Sequence, residues 1–93
     1  MTTRLLLVDD HAVVRSGLRM LLENEHEIEI VGEAGNAMEA IEAATRLKPN
    51  LILMDIGLPD KDGCQVTQEI RTWEKKMGRQ PITIIALTAH VGK

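Results

Sequence analysis

Three observations predict an α/β fold with a parallel sheet covered by helices on both faces. Short continuous apolar runs such as "RLLLVD" and "LILMD" lack polar alternation, as strands buried on both faces require. Between them lie stretches whose apolar residues recur at helical spacing. The two patterns alternate along the whole chain, which is how βαβ units read in sequence.

Each element follows from local chemistry. Strand β1 is expected over 4–9, where an apolar run ends in the acids of "VDD". Helix α1 is expected over 11–24, with Val13, Val14, Gly17, Leu18, Leu21 and Leu22 on one face and Arg15, Arg19 and Glu23 on the other. Strand β2 spans 28–33, and its Glu29 suggests a sheet edge. Helix α2 spans 37–47. Asn36 is its N-cap, Glu39 completes a capping-box pattern, and Pro49 closes it. Strand β3 covers 51–55. Helix α3 covers 63–76, with Val66, Ile70 and Trp73 at helical spacing and Gly78 near its end. Strand β4 covers 82–87, and "AHVGK" is a tail.

Size and composition bound the function. Ninety-three residues make one small domain, and a chain this short buries only roughly 60–65% of its unfolded surface. Hydrophobic residues at 44% and charged residues at 27% fit a globular rather than a disordered chain. A net charge of −3 gives no basic footprint for nucleic acid, so no nucleic-acid partner is expected. Trp73 is the one aromatic residue, which removes the platforms that base stacking needs and makes the core aliphatic. The lone Cys64 excludes an internal disulfide and fits a reducing compartment. No apolar run reaches the length of a membrane span, and "MTTRLLLVDD" turns acidic too soon for a signal peptide. A cytoplasmic setting is expected.

Right-handed crossovers leave a few strand orders, among them 2-1-3-4, in which the chain reverses direction between β1 and β3. Ligands bind at such a switch point, outside the carboxyl ends of the strands. Asp9 and Asp10 end β1 and Asp55 ends β3, so the acids fall where that rule places a site. Three converging carboxylates repel one another unless a cation sits among them. Hard oxygen donors completed by water suit Mg²⁺. A carboxylate beside such an ion can act as nucleophile toward a phosphoryl group. Thr88, at the end of β4, could offer a hydroxyl to a phosphoryl oxygen.

The stretches "LLLVDDHAVVRSGL", "LILMDIGLPDKDG" and "IIALTAH" together resemble the receiver domain of two-component response regulators, over the whole chain. That resemblance implies a flavodoxin-like sandwich and phosphoryl transfer from a histidine kinase or phosphotransfer domain to Asp55. It also implies Mg²⁺ held by Asp10, Asp9, Asp55 and the carbonyl of Gly57, with Thr88 as switch hydroxyl and the Ala89 N–H near the phosphoryl oxygens. The start, "VDDHAVVRSGLRMLL", is similar to receivers of LuxR-type transcription factors; "MDIGLPDKDGCQVTQEIR" and "ITIIALTAHVG" are more like those of hybrid sensor kinases, which fits a natural intermediate, a truncated chain or a chimera. The family continues with a last βα unit whose strand carries a lysine and an aromatic switch residue. The 93 residues stop at Lys93, too close to Thr88 to replace that lysine. The expectation is a partial receiver with strands β3 and β4 uncovered on the α1 side, prone to self-association. The alternative is a folded fragment, truncated or engineered, without competent phosphosignalling. Self-phosphorylation and dephosphorylation are the only catalysis expected; no Gly-rich phosphate loop or catalytic triad points to a metabolic enzyme.

Other candidates take blander roles. His11 and His90 flank the site in sequence, but the acids already form a hard-metal set and imidazole suits softer ions, so both are assigned a structural or rim role. His26 is a solvated helix end, and Cys64 a small core residue. The "WEKKMGR" run is a solvated helix end with Trp73 as a core or rim contact. "DKDG" at 60–63 resembles part of a calcium loop but lacks its spacing and terminal glutamate.

Overall fold

The alternation of apolar runs and amphipathic stretches folds as β1 (Thr3–Val8), α1 (Ala12–Leu22), β2 (Ile28–Ala34), α2 (Ala37–Leu47), β3 (Leu51–Asp55), α3 (Gly63–Met77) and β4 (Thr83–Leu87). The computed structural model describes residues 2–55 and 57–87. All pairings are parallel and the order is β2-β1-β3-β4, so the chain reverses between β1 and β3 as expected.

Strand β1 is central, and its side chains divide by parity. Leu6 and Val8 join Ile52, Met54, Ala40, Ala44, Val66 and Ile70 in one aliphatic core under α2 and α3. Leu5 and Leu7 are equally buried, but toward the opposite face. Alanines at 37, 40, 43 and 44 let α2 lie close to the sheet. Gly32 serves the same approach: a Cβ there would come within 2.7 Å of the Leu47 Cδ1 atom. The register of β2 against β1 slips at this point, from Leu5↔Ile30 to Leu6↔Gly32, which is a β-bulge at Val31.

Caps set the helix ends. Asn36 accepts from the Glu39 N–H at 2.8 Å, but the Glu39 carboxylate returns to the Gly35 N–H at 2.9 Å rather than to Asn36 itself. Asp62 and Gln65 form a full capping box on α3, and Gly78, at φ 65°, ends that helix in the left-handed region that glycine tolerates best.

Three expectations are corrected. Helix α1 buries none of its residues; Val13 is 83% and Leu21 73% exposed. It is tied instead through the opposite, charged face, where Arg15 Nε and Arg19 Nε donate to Glu33 on β2 at 3.0 and 2.7 Å. Cys64 is exposed, because α3 turns Gly63, Val66 and Ile70 inward and leaves the thiol beside a cavity of about 200 Å³ lined by Met54, Thr67 and Ile84. Glu74, read within a solvated charge run, is buried. On the α1 side of β4, Ile85 is 46% exposed. Among the described residues no helix is long and apolar enough to cross a membrane.

Candidate functional site

The register between β1 and β3 pairs Val8 with Met54, so the next residue of each strand, Asp9 and Asp55, falls at the same end of neighbouring strands. Asp9 lies just past β1 yet keeps the ladder going, donating its N–H to the Ala34 carbonyl at 3.0 Å. Ligand atoms of Asp9, Asp10, His11 and Asp55 lie within 4.8 Å of one another. The switch point thus gathers the three acids that the sequence places at strand ends, and adds a histidine.

Burial grades the four side chains. Asp9 is 1% and Asp55 6% exposed, while the Asp10 and His11 side chains are 28% and 66% exposed. One oxygen of Asp9, Oδ1, accepts from the His11 backbone N–H at 2.8 Å and contacts His11 Nδ1 at 3.1 Å. The other, Oδ2, is buried with no hydrogen-bond partner among the described residues. A buried carboxylate oxygen left bare is costly. A buried carboxylate oxygen with no partner among the described residues, beside two more acids, makes a donor set that fits a hard divalent ion.

Asp55 is oriented by its own loop. Its Oδ1 accepts from the Gly57 N–H at 3.1 Å, which fixes the carboxylate at the mouth of the site. For Gly57 the structure thus shows an amide contact to Asp55. Arg15 donates to the Asp9 carbonyl and pairs with Glu33, bracing the acid loop against β2 without neutralising the Asp9 carboxylate. The Arg19 hydrogen bond, then that of Arg15, hold the Glu33 carboxyl below its ordinary pKa. His11 Nδ1 also lies 3.0 Å from Asp10 Oδ1. Its hydrogen bond to Asp9, then the Asp10 charge, hold the ring's pKa above the ordinary histidine value. His11 is at the rim by exposure, yet its ring nitrogen faces the acids. Thr88, Ala89, His90 and Lys93 lie outside the described residues.

The loop after β3 holds a residue whose role the sequence did not disclose. Asp60 accepts from the Ala37 and Met38 N–H groups at 2.7 and 3.1 Å, capping α2 from a distant loop. The only sequence hint was an acid in a turn, because the partner helix starts 23 residues earlier. These bonds, led by that from Ala37, lower the Asp60 pKa. A carboxyl depressed on folding stabilises above its unfolded pKa, and the contribution disappears as pH falls through the folded value. Asp60→Ala should therefore melt below wild type at neutral pH. The gap should close as pH drops below about 4, where the unfolded carboxyl also protonates. Thermal melts of both proteins from pH 7 to pH 2 check this; a gap independent of pH contradicts it.

Comparison with known proteins gives the family. The response regulator receiver domain family matches residues 5–93. The response regulator protein VraR of Staphylococcus aureus is 46% identical over 91 residues, which cover 98% of this chain and 41% of that protein. A LuxR-family two-component response regulator from Aurantimonas sp. SI85-9A1 superposes with a TM-score of 0.84 at 36% identity, over 99% of this chain and 62% of its own. The receiver domain of Saccharomyces cerevisiae Ssk1, crystallised with the histidine phosphotransfer protein Ypd1, gives 0.82 at 27% identity, over 98% and 66%. The chain belongs to the response regulator receiver domain family, and it spans less than half the length of VraR.

Proposed function

We propose that this receiver domain accepts a phosphoryl group on Asp55, with Mg²⁺ held by Asp9, Asp10, Asp55 and the Gly57 carbonyl. The observation that carries the reading is the bare, buried Oδ2 of Asp9 beside two further acids at the switch point of the sheet. With Oδ1 of Asp55 engaged by Gly57, Oδ2 is the oxygen left to attack. It forms the O–P bond as the P–N bond of a donor phosphohistidine breaks, and the electron pair leaves on the imidazole nitrogen. Mg²⁺, when bound, would neutralise the charge that develops as a phosphoryl group approaches the carboxylates.

Asp9 and Asp10 supply the negative charge that holds the cation, and Arg15 keeps their loop in place. By the resemblance to the family, the Thr88 hydroxyl and the Ala89 N–H are the proposed hydrogen-bond donors to phosphoryl oxygens. The donor is a histidine kinase or a phosphotransfer domain, in keeping with the Ypd1–Ssk1 pairing of the related receiver. A cytoplasmic setting suits the exposed free thiol of Cys64.

Acetyl phosphate with Mg²⁺ should add the mass of one phosphoryl group to the wild-type chain. Asp55→Ala, or excess EDTA, should abolish that gain. A gain that survives in Asp55→Ala overturns the assignment. Absence of both mass gain and beryllofluoride binding in the wild type favours a folded fragment without phosphosignalling.

A further inference from the structure

The acid pocket contains one donor that a purely hard-ion site does not need. His11 Nδ1 lies 3.1 Å from Asp9 Oδ1 and 3.0 Å from Asp10 Oδ1, and all four ligand atoms fall within 4.8 Å. Two donors bound to one ion at about 2.1 Å, in neighbouring coordination positions, sit roughly 3.0–3.4 Å apart. The separations that serve hydrogen bonds here therefore also serve a shared cation. The second observation that points to a cation is Asp9 Oδ2, the other oxygen of the carboxylate His11 contacts, which belongs to a side chain 1% exposed and has no partner among the described residues. Arg15 does not supply that partner, being engaged with the Asp9 carbonyl and Glu33.

We propose that His11 is a nitrogen ligand of this pocket, and that the mixed nitrogen–oxygen set binds Zn²⁺ and similar late first-row divalent ions more tightly than Mg²⁺. Carboxylate, carbonyl and water suit Mg²⁺, whereas imidazole adds affinity for Zn²⁺, Ni²⁺ and Co²⁺, which also stand higher in the general order of stability. In the ligated state Nδ1 offers its lone pair to the ion and the ring proton sits on Nε2. The ring can meet that demand because it is mostly exposed and its backbone is anchored by the His11 N–H bond to Asp9. The inference rests on the acid pocket being a divalent-cation site.

Isothermal titration of the chain and of His11→Ala with ZnCl₂ and MgCl₂ tests it, with imidazole ¹⁵N spectra as a second readout. Substituting so exposed a side chain should leave the fold intact, which circular dichroism checks. Zn²⁺ affinity should fall at least about tenfold in His11→Ala, while Mg²⁺ affinity stays within about threefold. The His11 ring resonances should move with Zn²⁺ and not with Mg²⁺. Unchanged Zn²⁺ affinity in His11→Ala, or undiminished Zn²⁺ binding in Asp9→Asn, overturns the proposal. If Mg²⁺ binds and supports labelling of Asp55 while Zn²⁺ ignores His11, only this inference falls. If Zn²⁺ binds through His11 and Mg²⁺ does not bind, this inference stands and the Mg²⁺-dependent phosphoacceptor reading falls.

Discussion

Asp9→Asn should melt at a higher temperature than wild type in EDTA while losing most of its affinity for Mg²⁺. Asp9 is buried and shares a space of 4.8 Å with two other carboxylates. Two like charges at that separation repel by about 3 kcal/mol at the effective dielectric of a protein site. The His11 contact offsets part of this. Asparagine keeps an oxygen for the His11 N–H and replaces the bare Oδ2 with an amide donor that can face Asp10 or Asp55. The metal-free domain should therefore gain about 1–3 kcal/mol. A Mg²⁺ site that usually depends on one or two carboxylates should at the same time weaken about tenfold or more. Differential scanning calorimetry with EDTA and with Mg²⁺ reads both effects. Wild type should rise on adding Mg²⁺ and the variant should not. A variant that melts below wild type in EDTA contradicts the account of Asp9 as a charge held for a ligand.

Glu74→Ala should destabilise the domain by about 2–4 kcal/mol, a large share of the margin available to so small a fold. The Glu74 side chain is 4% exposed. Its Oε2 accepts from the Ile82 N–H at 2.6 Å and its Oε1 from Arg71 at 2.8 Å. Ile82 is itself buried and immediately precedes β4, so this carboxylate fixes where the last described strand enters the sheet. Alanine leaves a buried N–H without a partner and Arg71 without its ion pair. Glutamine retains an acceptor for Ile82 and should cost about half as much. Urea unfolding of the three proteins at neutral pH checks the ranking; equal losses for alanine and glutamine would show that charge, not the bond to Ile82, is what matters.

Asp9 and Glu74 mark two kinds of information in the sequence. The acids of the site were legible because strand ends can be read from where apolar runs stop. A parallel sheet with a reversal then places those ends together. Glu74 was not legible, because a charged residue in the run "WEKKMG" on the last turns of a helix reads as solvated. Only the return of the chain at Ile82, folded back on that helix, makes it a buried acceptor.

The helices divide the same way. The spans of α2 and α3 followed from Asn36, Pro49 and Gly78 and from the spacing of Val66, Ile70 and Trp73, signals that act within a turn or two of the backbone; the Asp62 cap of α3 appeared only in the structure. The burial of α1 did not follow from its periodicity. An apolar stripe says which residues could be covered, while coverage depends on what packs there; in the described residues α1 is held by Arg15 and Arg19 on Glu33.

By itself the sequence determined the α/β alternation, the strand ends and the acids placed on them, because period, caps and breaks are properties of neighbouring residues. The tertiary structure decided what those residues do to distant ones. It turned His11 toward the acids, left Asp9 Oδ2 bare, sent Asp60 to cap a helix 23 residues earlier and buried Glu74 under Ile82. Each of these depends on which polar group is left without water, and that is known only once separate segments have closed over it.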